Sequence, residues 1–289
     1  MFVKNCFKNN LIAPMFTLNC CSNLLTIDSP IVMGIINATP DSFYKGNIKD
    51  DILSLAAQML SNGATILDIG GQSTKPNSTL YSAKEEMDRV LPFIKKINTA
   101  FPNALISVDT FYSEVAKAAV DVGATIINDI SAGNMDKEML KTVAQLNTPY
   151  VCMHMQGTPA TMQQNPSYEN STKEVLDFFV KKINECKSAG VKDVVIDPGF
   201  GFGKTIDHNY ILLKNLSIFS MLDSPILVGL SRKSIVYRPL NTSANEALNG
   251  TTALNMIALL NGASLLRVHD VKEAKEAIDL FNTYKKASQ

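Results

Sequence analysis

The stretch Leu105-Ile-Ser-Val-Asp109-Thr-Phe-Tyr-Ser113-Glu-Val-Ala-Lys-Ala-Ala-Val-Asp-Val122-Gly123-Ala-Thr125-Ile-Ile-Asn-Asp129 contains one full structural repeat of this chain. A short apolar run ends in an aspartate. Ser113 then opens an amphipathic segment, Gly123 stops it, and a second apolar run ends in Asn128 and Asp129. The runs are continuously apolar, not alternating, which suits strands buried on both faces of a parallel sheet.

The same unit recurs in both directions. Strands are predicted at Ile31–Asn37, Thr65–Ile69, Leu105–Asp109, Thr125–Asp129, Tyr150–Met153, Val194–Asp197, Ile226–Gly229 and Ser264–Val268. Helical periodicity follows at Asp51–Ser61, Ala83–Ile97, Ser113–Val122, Lys137–Gln145, Thr172–Ala189, Tyr210–Phe219, Ala244–Leu260 and Lys272–Tyr284. Gly63, Gly123, Gly190 and Gly262 stand just past helix ends, where a left-handed cap is wanted. Eight such units predict an α/β fold, a (β/α)8 TIM barrel, as a single domain over residues 15–289. A doubly wound open sheet is the competing architecture, but it needs no eighth unit. Residues 1–14 precede any strand pattern and are expected to form a disordered leader, with Met15 available as an alternative start.

Charge narrows the function. The 27 lysines and arginines balance 27 acidic residues, which argues against a general nucleic-acid binder or a polybasic membrane-surface protein. Any bound anion must be held by a local cluster of cations. The 5 cysteines show no CxxC or Cys/His metal spacing and read as reduced cytosolic thiols. The uncharged stretch from Asn9 to Ile27 faintly resembles a signal peptide, but Pro14, Asn19 and Ser22 interrupt it and no small-residue cleavage pattern follows. Ala247 to Leu266 is too polar to span a bilayer. A soluble cytoplasmic enzyme or binding protein is the expectation.

In such barrels chemistry sits at the C-terminal ends of the strands. Here those ends carry Asn37, Asp68, Asp109, Asn128 with Asp129, His154, Asp197, Ser231 with Lys233, and Arg267 with His269. A lone Asp or Ser there is ordinarily a helix or turn cap. Polar residues at every end, above apolar strands, are harder to explain by capping. Asp109, Asn128 and Asp197 accept hydrogen bonds, while Lys233, Arg267 and His269 donate them. The set suits a ligand with a donor-rich heterocyclic edge and an anionic group.

Several phrases then match a known family. They are Met33-Gly34-Ile35-Ile36-Asn37-Ala38-Thr39-Pro40-Asp41-Ser42-Phe43, Asp68-Ile69-Gly70-Gly71-Gln72-Ser73-Thr74-Lys75-Pro76, Ser107-Val108-Asp109-Thr110 and Ile127-Asn128-Asp129-Ile130. Further on come Met153-His154-Met155-Gln156-Gly157, Asp197-Pro198-Gly199-Phe200-Gly201-Phe202-Gly203-Lys204, Gly229-Leu230-Ser231-Arg232-Lys233-Ser234 and Arg267-Val268-His269-Asp270. Together, in order, they resemble the dihydropteroate synthase family over about residues 31–285. Each motif alone is weak; all in register are specific.

The resemblance implies condensation of 7,8-dihydropterin-6-ylmethyl diphosphate with 4-aminobenzoate to 7,8-dihydropteroate and pyrophosphate, in folate biosynthesis. Carried over by position, Asp109, Asn128, Asp197 and Lys233 bind the pterin. Asn37, Thr74, Arg267 and His269 bind the diphosphate, and Asn37 places Mg²⁺. Phe43, Thr74, Pro76, Phe202 and Ser234 receive 4-aminobenzoate, where sulfonamides also bind in the family. Lys233, Arg267 and His269 are the implied catalytic residues, and a homodimer through the last two helices is the implied assembly. Two loops depart from the family pattern: Lys75 replaces an arginine, losing its planar fork, and Tyr44-Lys45-Gly46-Asn47 replaces an Asp-Gly-Gly continuation. A pterin-binding methyltransferase domain, or a non-catalytic pterin-binding homologue, remains the alternative; the Ser231–Ser234 and Arg267–His269 set argues against both.

Overall fold

The computed structural model describes residues 15–21, 23–38, 48–72 and 80–287. The expected leader at residues 1–14 lies outside them. A hairpin comes first, β1 (Phe16–Cys20) paired antiparallel with β2 (Asn23–Ile27). Eight parallel strands follow: β3 (Ile31–Asn37), β4 (Ala64–Gly70), β5 (Leu105–Asp109), β6 (Ile126–Asp129), β7 (Tyr150–Met153), β8 (Val194–Asp197), β9 (Leu227–Val228) and β10 (Leu265–Val268). Their spatial order is β8-β7-β6-β5-β4-β3-β10-β9. A parallel bridge between Ile196 and Ile226 joins the two edges, so the sheet closes into the expected barrel.

The helices are α1 (Ile48–Ser61), α2 (Ala83–Ala100), α3 (Ser113–Asp121), α4 (Met139–Leu146), α5 (Ser171–Ala189), α6 (Ile206–Lys214), α7 (Ser234–Tyr237), α8 (Leu248–Leu260) and α9 (Val271–Lys286). Their starts follow local chemistry. Ser82 and Glu85 form a reciprocal capping box, as do Thr205 and His208, and Asn170 caps α5 through Lys173 N. The four expected glycine stops all have positive φ. Two expected helices differ. The Tyr210–Phe219 segment starts earlier, at the Thr205 cap, and gives way after Lys214 to a 3₁₀ turn over Leu216–Leu222. The Ala244–Leu260 segment opens as a 3₁₀ turn, Ala244–Glu246, before α8 begins.

Period-two alternation sorts the strand side chains. Residues such as Val32, Leu67, Ile106, Ile127, Ile196 and Leu266 pack outward against the helices. Met33, Ile66, Ile126, Val151, Val195, Leu227 and Leu265 point inward and form one apolar layer, joined by Leu105. The hairpin, unforeseen in the sequence, lays Leu18, Cys20, Leu25 and Ile27 on that layer and plugs the N-terminal mouth. Two residues further along β4, β5, β6, β8 and β10, the inward positions become polar: Asp68, Ser107, Asn128, Asp197 and Arg267. Below these polar positions, the plug and the apolar layer exclude water. Among the described residues, no helix is long and apolar enough to cross a membrane.

Candidate active site

Arg267 occupies the centre of the polar layer. Its Nε donates to Asp68 Oδ2 at 2.7 Å, and its Nη2 donates to Asp109 Oδ2 at 2.6 Å, with Asp68 Oδ2 also 2.6 Å from Nη2. Burial works against the guanidinium charge, but Asp68 and Asp109 outweigh it and keep the group protonated. Asp109 responds differently. Burial pushes its carboxyl up to about 7, with Asp68 and Glu86 adding repulsion and only Arg267 opposing. Asp68 also accepts from Asn128 Nδ2 at 3.1 Å, which commits that nitrogen and leaves the amide oxygen as an acceptor.

Asp197, at the end of β8, is 6% exposed. Its Oδ1 accepts from Gly199 N at 2.8 Å, so the turn-capping role open to any such Asp is realised with one oxygen only. Burial raises its carboxyl, while Lys233 opposes. Lys233 Nζ donates to Phe200 O at 2.8 Å and stands 4.7 Å from the Phe202 ring centroid. Burial and Arg267 push this lysine down to about 8 against the pull of Asp197. Met153 is buried on β7, between the strands that carry Asn128 and Asp197. A flat apolar surface thus lies among hydrogen-bond acceptors. Phe111, Ile130, Met162 and Phe202 extend the apolar surface with Met153 at the mouth.

His269 follows β10, and its Nδ1 lies 3.0 Å from Ser231 Oγ. Although the residue is exposed, the surrounding protein, then Arg267, lower the imidazole to about 4, so it is neutral near pH 7. Asn37 is exposed at the end of β3. Ser234, half-buried, opens the four-residue α7. Arg232 is committed elsewhere: Nε and Nη2 pair with Asp270 at 2.8 and 2.9 Å, and Nη1 reaches the carbonyls of Ala244 and Asn245. Asp129 points outward, accepting from Ser131 N, Gly133 N and Tyr150 OH. Phe43, Thr74 and Pro76, with Lys75 and Tyr44–Asn47, lie outside the described residues. Among the described residues, no group of three or more His, Cys, Asp or Glu side chains could hold a metal. Asn37 offers one neutral oxygen, enough only for an ion that keeps its waters and takes other oxygens from its ligand.

A buried acceptor set thus stands beside an anion-pairing arginine at the C-terminal mouth of a barrel. The family described as "Pterin binding enzyme" matches residues 33–269. The chain is 43% identical over 259 residues to the dihydropteroate synthase of Escherichia coli (strain K12), covering 88% of this chain and 91% of that one. This chain belongs to the pterin-binding enzyme family. Its fold is similar to Xanthomonas albilineans dihydropteroate synthase with 4-aminobenzoic acid, at a TM-score of 0.89 and 36% identity, covering 96% of this chain and 100% of that chain. The same enzyme in complex with 7,8-dihydropteroate matches at a TM-score of 0.86 and 35% identity, with coverages of 94% and 100%.

Within this pterin-binding enzyme, three buried groups escaped the sequence reading. Asp68 was noted at a strand end but given no role; its spacing from Gly70 on β4, which puts both inside, was the available signal. Lys204 ends the glycine-rich phrase Gly199–Gly203, and nothing in that phrase marks it as buried. Glu86, on α2, is fully buried, and its Oε2 accepts from Gln72 Nε2 at 2.5 Å. Burial raises it to about 7. Its helical spacing with Ala83, Val90, Ile94 and Ile97 was the available sign that it faces inward.

Proposed function

We infer that this chain is a dihydropteroate synthase, a transferase that joins 7,8-dihydropterin-6-ylmethyl diphosphate to 4-aminobenzoate and releases pyrophosphate. The observation that carries this reading is the polarised layer at the barrel mouth: Asp197 and Asn128 flank Met153, and Arg267 stands beside them. An aminopyrimidinone edge presents an amine and a ring N–H, which the free oxygen of Asp197 and the amide oxygen of Asn128 accept, while its flat face lies on Met153. Lys233 Nζ donates to the pterin carbonyl side. Asp109 reaches the pterin from the opposite wall and is held there by Arg267.

The diphosphate leaves toward Arg267, His269, Asn37 and Thr74. Arg267 carries the fixed charge. Neutral His269 gives or takes a hydrogen bond without adding charge, its ring set by Ser231. Asn37 would help hold Mg²⁺, which when bound would supply positive charge to the leaving diphosphate. As the methylene C–O bond lengthens, the electron-rich dihydropterin stabilises positive charge on that carbon, and the donors above stabilise the departing oxygen. The aryl amine nitrogen then bonds to the methylene carbon and loses one N–H proton to solvent or pyrophosphate. An unprotonated aryl amine needs no strong base. Phe202, with Phe43, Thr74 and Pro76, walls 4-aminobenzoate, and Ser234 meets its carboxylate.

The enzyme is proposed to act in the cytoplasm as a homodimer through α8 and α9. Ile257 and Leu260 on α8, and Leu280 and Tyr284 on α9, are exposed, and sedimentation of the wild type against Leu260→Glu tests that assembly. The function is tested by chromatography of 4-aminobenzoate incubated with the pterin diphosphate, Mg²⁺ and purified protein. A dihydropteroate peak that a sulfonamide suppresses competitively with 4-aminobenzoate supports the reading, and folded protein that leaves 4-aminobenzoate unchanged refutes it.

A further inference from the structure

Lys204 is 3% exposed and lies behind the turn that joins Asp197 to Phe202. Its Nζ stands 3.0 Å from each of three acceptors: His154 Nδ1, Gly199 O and Phe202 O. A fourth, His154 O, is at 3.5 Å. Burial pushes this lysine down to about 7, with Asp197 opposing; the three close acceptors are what its charged form, with three N–H donors, needs. The two carbonyls can only accept, so a donated third bond requires His154 to present a lone pair at Nδ1 and carry its proton on Nε2. That imidazole is neutral, since burial and the Lys204 charge push it down to about 2. The ring is fixed edge-on against Phe178, with centroids 4.9 Å apart.

The carbonyls that Lys204 grips bracket the site. Gly199 N also donates to Asp197 Oδ1, and Phe202 supplies the aromatic wall. The turn lies so close to the end of β7 that a Cβ on Gly199 would sit 1.9 Å from His154 O, and one on Gly203 2.6 Å from Gln156 O. We propose that Lys204 is a positioning residue for both substrates: its ammonium ties the turn to the end of β7 and so sets the spacing between Asp197 and Phe202. The proposal rests on the synthase reading for the roles of those two residues. Lys204 itself touches neither substrate.

Two measurements test it. In Lys204→Met, KM for the pterin diphosphate and for 4-aminobenzoate should both rise, by about tenfold to a hundredfold, because a displaced wall misplaces bound ligand. A purely structural lysine would lower the melting temperature and leave both KM values of the folded enzyme unchanged, which overturns the proposal. Should Lys204→Met not fold, nitrogen-15 histidine spectra of the wild type decide, with His154→Gln assigning the signal. A neutral His154 protonated on Nε2 is expected; one protonated on Nδ1 would mean that Lys204 accepts instead of donating, and the proposal falls. Failure of the wild type to make dihydropteroate would refute the synthase reading while leaving the histidine spectra to judge Lys204.

Discussion

Arg267→Met tests how the site holds its charges. The arginine side chain is 18% exposed and its two partners are 0% and 14% exposed, at 2.6 Å each. Removing the guanidinium strands two carboxylates in a layer sealed below by the apolar core. Breaking a buried pair by deleting one partner costs about 3–5 kcal/mol. The variant should therefore unfold at much lower denaturant. The loss should depend on pH, and the sign is determined by Asp109. Burial has already raised its folded pKa to about 7, well above the usual aspartate range, and loss of Arg267 raises it further. A folded state that keeps a proton the unfolded state has released is favoured at low pH and loses that advantage as pH rises through the folded value. Denaturant titrations of wild type and variant at pH 5.5 and pH 8 should show the smaller gap at pH 5.5. A loss below about 1 kcal/mol, typical of an exposed pair, or an equal loss at both pH values, would refute the argument. The sequence alone suggested that this residue mainly handles diphosphate; the structure makes it the counter-ion of the pocket as well.

Asp197→Asn should keep the fold and the bond to Gly199 N but weaken pterin binding by about 1.5–3 kcal/mol, the range for a hydrogen bond to a charged group, as read by calorimetry; unchanged affinity would mean the ligand lies the other way round. Gly199→Ala should destabilise strongly, because φ is +70° and the added Cβ meets backbone at 1.9 Å; a melting temperature equal to wild type would contradict the close approach. For Glu86, burial holds the folded pKa at about 7, above the usual glutamate range, so its contribution to stability is present at low pH and lost as pH rises toward 7. Glu86→Gln should therefore gain stability relative to wild type between pH 5 and pH 8, measured by paired denaturation curves, and a difference that does not change with pH would contradict it.

The eight barrel strands were legible because each is an apolar run buried on both faces, and the glycines after α1, α3, α5 and α8 gave the repeat its punctuation. The hairpin was not, because β1 and β2 are short and bury only alternate residues, within an uncharged stretch that faintly resembles a signal peptide. Asp109, Asn128, Asp197, Lys233 and Arg267 were legible from their places at strand ends. Their pairing was not, since nothing in the chain order says that Arg267 on β10 crosses the mouth to Asp109 on β5. Lys204 and Glu86 were hidden because a charged residue is ordinarily exposed; Glu86 stands on the apolar stripe of α2 with Val90, Ile94 and Ile97, whereas Lys204 lies in a loop with no periodicity. Arg232, grouped by sequence with the anion-binding residues, is instead spent on Asp270 and two carbonyls.

The most direct test of the account is pyrophosphate release by the purified protein supplied with the dihydropterin diphosphate and Mg²⁺, with and without 4-aminobenzoate. With 4-aminobenzoate present, one pyrophosphate is expected for each dihydropteroate formed, with loss of both products together in Asp197→Asn at low pterin concentration. Folded wild-type protein that then releases no pyrophosphate above background, or releases it without forming dihydropteroate, would contradict the account.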